Sequence, residues 1–159
     1  MIIGLAIPTF ADEQPSLTKE QSTKISAQCG AIRQSLKDLQ RSDSRARTYF
    51  GAIYETISSK FLKPLNLRLV NNDISDPVLL EQQTSLATMR SNFSDDFIQY
   101  SKALEELIAI DCRSDQTAFY KKLIDTRDKR SAVAEDVRNL NALLTRVVKS
   151  VETLKGTLK

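Results

Sequence analysis

Two stretches of this sequence carry residues that step alternately by four and three positions without a slip. The first runs Ile25, Cys29, Ile32, Leu36, Leu39, Asp43, Ala46, Phe50, Ile53, Ile57. The second runs Phe119, Leu123, Thr126, Arg130, Val133, Val137, Leu140, Leu144, Val147, Val151, Leu154, Leu158. A mean spacing of 3.5 residues keeps one stripe of an α-helix turned toward a partner over many turns, which is the seam of a coiled coil. A strand, whose faces alternate at every residue, cannot use such a repeat. Between the two lies a segment from Pro77 to about Asp111 with Leu79, Leu86, Met89 and Phe93, then Phe97, Tyr100, Leu104 and Leu107. Its phase slips by one residue around Ser91 to Asp96, which predicts a kink or bulge there.

The expected fold is therefore all-α: a long antiparallel three-helix coiled-coil bundle, up-down-up, forming a single domain over residues 12–159 with helices at about 16–62, 77–111 and 114–157. Four Gly and four Pro in 159 residues are too few for the turns of a sandwich or barrel. Local signals mark the ends. Thr18-x-x-Gln21 has the form of a capping box, and Asp76 before Pro77 and Ser114 with Asp115 read as helix starts. The stretch Lys63 to Asp76, with Pro64, Asn71 and Asn72, reads as a connection. At about 1.5 Å per residue such helices make a rod of roughly 50 to 70 Å.

A hairpin turning near Leu69 brings Cys29 level with Cys112, the only two cysteines of the chain. A disulfide between them is expected to tie the start of the first helix to the corner between the second and third, and to persist only in an oxidising compartment. Residues 1–11, MIIGLAIPTFA, followed by Asp12, Glu13, Gln14 and Pro15, read as the end of a secretory signal cleaved after Ala11. Together these predict a secreted or extracytoplasmic protein, in a periplasm or at a cell surface. No segment reaches the roughly 20 apolar residues of a membrane-spanning helix.

Asp43 and Arg130 interrupt the two seams, and parallel first and third helices place them at one height with the slip around Ser94 and Asp96. They are expected to face each other in the core. One charged pair there rejects slipped registers; alternatively it marks a small polar pocket for a ligand or a partner's side chain. The apolar residues Leu65, Leu67, Leu69 and Val70 stand in the connection at the far tip. They either fold back over the end of the bundle or form a contact site.

Candidate chemistry is sparse. The chain contains no histidine, the commonest general base and metal ligand, and no nucleotide-binding, zinc or nucleophile motif. No cofactor, metal site or catalytic residue is expected. Glu105, Glu106 and Asp111 are the best carboxylates for a hydrolase or transferase, yet adjacent acids on a helix turn are ordinarily solvated. The net charge of +3 mixes both signs along the chain, and the basic run from Lys121 to Arg130 is broken by Asp125 and Asp128, so no specific nucleic-acid partner is expected. The leading expectation is a non-enzymatic module that binds or scaffolds a protein or another envelope component. The alternative is a structural spacer, a homo-oligomer joined through Val147, Val151, Leu154 and Leu158 where the third helix outruns its partners.

Overall fold

The computed structural model describes residues 16–157, and the signal-like segment 1–11 and Leu158 lie outside them. The protein is a three-helix bundle. Its first arm comprises α1 (Lys19–Glu55), a π-helical stretch (Thr56–Leu62) and α2 (Lys63–Asn71); the second is α3 (Pro77–Ala109) and the third α4 (Gln116–Thr157). Each start is closed as its sequence dictates. Thr18 Oγ1 accepts from the Gln21 amide at 3.2 Å while the Thr18 amide donates to Gln21 Oε1 at 2.9 Å. Asp76 Oδ1 accepts from the Leu79 amide at 3.0 Å, and Asp115 Oδ1 from the Ala118 amide at 2.9 Å. These bonds satisfy N–H groups that have no partner within a helix.

The first arm departs from the sequence expectation. Pro64 does not end it; the helix continues to Asn71 and turns only over residues 72–76, where Asp73 takes a left-handed φ of 56°. A proline inside an α-helix loses a hydrogen bond, and its ring strikes the carbonyl four residues back. The wider π-turn relieves the clash: the Lys63 amide reaches back five residues to the Ser58 carbonyl, which opens the helix ahead of the ring. The seam shows the same insertion. After Ile57 the next core side chain is Leu62, five residues on, followed by Leu65 and Leu69. The irregularity expected in the second helix therefore sits in the first. α3 is α-helical throughout, absorbing its slip as two consecutive steps of four, Met89 to Phe93 to Phe97.

The longer first arm also changes the tip. Leu65 and Leu69 pack into the core, whereas Leu67 and Val70, on the opposite side of α2, are exposed. They are helical residues, not a loop. The end of α4 does not outrun its partners, because α2 and the 72–76 turn extend alongside it; Val147 is buried, and Val151 and Leu154 pack against the same core.

The core has two halves. Tyr54, Leu62, Leu79, Leu86, Leu140 and Val147 fill the tip half. Cys29, Leu36, Leu104, Leu107, Cys112 and Phe119 fill the other, closed by the Cys29–Cys112 disulfide with Cα atoms 5.5 Å apart. α3 and α4 make the most extensive contact along their lengths, while α1 lies more loosely on the pair. Thr126 fastens α4 to α3, its hydroxyl shared between the Lys122 carbonyl at 2.7 Å and the Ala103 carbonyl at 3.2 Å.

Candidate functional site

The junction of the two half-cores is where the seams turn polar. Asp43 on α1 receives Arg130 Nε at 2.7 Å and Arg130 Nη2 at 3.2 Å from α4, and the buried Tyr100 hydroxyl of α3 donates to the same carboxylate at 2.7 Å. All three arms thus meet on one side chain. Burial raises the Asp43 carboxyl, but the hydrogen bonds from Arg130 and Tyr100 outweigh it and hold the group below the ordinary carboxylate range. Tyr100 is pushed strongly upward by burial and by donating to Asp43, so it stays a neutral donor. The pair expected in the core stands at its edge: the Asp43 side chain is 18% exposed and that of Arg130 51%. A guanidinium on a long stem keeps its head wet while its methylenes cover apolar surface, and α1 lies loosely enough to let water reach it.

By its spacing alone Tyr100 is one more packing residue of the α3 seam. The signal was present, since a tyrosine on a buried seam needs a partner for its hydroxyl, and the antiparallel alignment puts it near the height of Asp43. Asp96 was placed at this height but faces elsewhere, toward Asp136 of α4. Burial raises the Asp136 carboxyl and the neighbouring Asp96 raises it further, while Asp136 Oδ2 is buried without a hydrogen-bond partner.

These two aspartates respond oppositely to pH. The depressed Asp43 contributes stability that is present above the unfolded carboxylate range and lost as pH falls through its lower folded value. The raised Asp136 costs nothing in acid and destabilises increasingly as pH rises through the unfolded and then the folded value. Asp43→Asn should therefore lower stability near neutrality by about 1–2 kcal/mol, discounted for the exposed arginine. Asp136→Asn should raise it, and both differences should shrink toward pH 3. Urea unfolding of each variant at pH 7 and pH 3 checks this; a stabilised Asp43→Asn or a destabilised Asp136→Asn at pH 7 would contradict the assignment.

Beside the Asp43 hub the three helices frame an open groove of about 270 Å³, walled by Phe50, Phe93, Phe97, Val133 and Val137, with Arg47 and Arg130 among its lining residues. The Arg47 guanidinium lies 5.5 Å from the centre of the Phe97 ring. A second hollow, about 360 Å³, lies at the tip between Leu69, Val70, Ile74, Pro77 and Leu80. There Leu67, Val70 and Leu80 are 59%, 67% and 56% exposed.

The candidate carboxylates do not converge. Glu106 pairs with Lys122 across α3 and α4, Glu105 is exposed, and Asp111 closes the corner by accepting from the Arg113 amide at 3.1 Å and the Ser114 hydroxyl at 3.0 Å. Asp125 pairs with both Lys122 and Lys129, which neutralises much of the basic run on α4. Among the described residues no helix is long and apolar enough to cross a membrane. The chain matches no protein-family model, no curated protein and no solved structure.

Proposed function

We propose that this protein is a non-enzymatic, extracytoplasmic binding module that holds an apolar segment of a partner protein at the tip of a rigid helical rod. The exposed Val70 and Leu80, which line the 360 Å³ hollow, and the exposed Leu67 of the same helix end carry the reading, because apolar side chains gathered beside a hollow at one end of a rod mark a contact surface. The disulfide supports the compartment, since such bonds persist where the surroundings are oxidising. It also supports the role: stapling the far end stiffens the shaft that presents the tip. The engagement of Glu106 and Asp111 in an ion pair and a turn supports the non-enzymatic part.

A photo-crosslinking side chain introduced at position 70 or 80, in cells that make the protein, should trap one partner, and Val70→Glu or Leu80→Glu should abolish the adduct. The same probe at Lys121, near the stapled end, should trap nothing. Equal trapping at both ends, or none at the tip, would overturn the reading. Trapping of the chain by itself, with a solution mass that rises with concentration and falls in Val70→Glu, would replace the partner with a second copy.

A further inference from the structure

The mid-bundle opening lies far along the rod from the tip and needs its own account. It is an open groove of about 270 Å³ at the level where the two half-cores meet, floored by Phe93, Phe97 and Val133. A cavity of about 150 Å³ lined by aliphatic and aromatic side chains admits a benzene ring, so this one has room for about two fused rings. Its position follows from α1. Over this level the seam residue Ala46 is exposed and Phe50 only half-buried, so α1 stands away from α3 and α4 and leaves their apolar surface as a floor.

The charge at the opening is not balanced. Asp43 is occupied by Arg130 and Tyr100, and it uses two of the five N–H donors of Arg130. Arg47 lines the same space and forms no ion pair among the described residues. Two guanidinium groups thus stand against one carboxylate, next to an apolar chamber. A planar fork with free donors matches carboxylates and phosphates alike, and the single unbalanced positive charge here suits a monoanionic carboxylate.

We propose that this opening is a binding site for a small amphiphilic monoanion of the aryl carboxylate class, its flat apolar body between Phe50, Phe93 and Phe97 and its carboxylate at Arg47 and Arg130. Asp43 and Tyr100 hold Arg130 in place for it. The excess positive charge of Arg47 and Arg130 over Asp43 disfavours a cationic ligand of identical shape, so the site selects by charge as well as by size.

The test is calorimetric titration of the oxidised protein with 2-naphthoate, and with 2-naphthylmethanol and 2-naphthylmethylamine as neutral and cationic counterparts. Naphthoate should bind at one site, about tenfold or more tighter than the alcohol, with the amine weakest. Arg47→Gln should weaken naphthoate by about fivefold or more and leave the alcohol unchanged. Ala46→Phe, at an exposed position lining the space, should fill it and abolish binding of both, while the melting temperature confirms that each variant is folded. No saturable binding of naphthoate, equal binding of naphthoate and the amine, or a folded Ala46→Phe that binds as the parent does would each overturn the proposal.

Discussion

The double variant Cys29→Ala/Cys112→Ala is expected to lose about 4 kcal/mol of stability relative to the oxidised protein, shifting the thermal midpoint down by roughly 10–20 °C. The bond spans 83 residues and so closes most of the first two arms into one loop. A cross-link removes conformations from the unfolded chain, and its effect grows slowly with loop length. The unfolded double variant should also be less compact, so its urea m-value should rise. Both sulfurs sit in a buried cluster with Phe119 and Leu107, and their loss leaves only a small void. A loss under about 1 kcal/mol would mean that the unstapled chain keeps the ends of α1 and α3 together by itself, and that the staple is dispensable to the shaft.

Phe119→Ala is expected to cost about 3–5 kcal/mol, the range for truncating a large buried aromatic. Phe119 is 0% exposed at the first turns of α4, where α3, the Asp111–Asp115 corner and the disulfide converge. The surroundings cannot collapse into the space, because the staple holds α1 and the corner caps hold the backbone. Tyr49→Ala provides the contrast. Tyr49 is an aromatic of similar size but 64% exposed on α1, and its truncation should stay within about 0.5 kcal/mol. Equilibrium urea unfolding of the two variants measures both. Comparable losses would contradict the picture of a tight α3–α4 pair with α1 laid more loosely upon it.

The two largest effects concern parts of the molecule that were legible early. An alternation of fours and threes is a property of one helix seen along its own axis, so the helical class and the core faces of α1, α3 and α4 can be read one residue at a time. So could the caps at Thr18, Asp76 and Asp115, which bond within three residues of themselves. The pairings of Cys29 with Cys112 and of Asp43 with Arg130 needed one further assumption, that helices of equal rise run antiparallel and then parallel.

The tip was misread because local rules compete there. Pro64 predicts an end to the helix when taken alone, yet the packing of Leu62, Leu65 and Leu69 against α3 favours continuing it, and a π-turn reconciles the two. The five-residue step from Ile57 to Leu62 recorded that outcome in the sequence. Which of Leu65, Leu67, Leu69 and Val70 face inward then follows from the helix, not from their hydrophobicity.

The sequence by itself determined the all-α class, the order and direction of the helices, the disulfide partners and the charged pair between the seams, because each depends on spacing along a regular helix. Only the tertiary structure decided how far α1 stands from α3 and α4. That separation is set by the fit of side chains from three helices at once, which no single periodicity encodes, and it determines whether Asp43 and Arg130 are buried, where Tyr100 joins them and how much space opens beside Phe97.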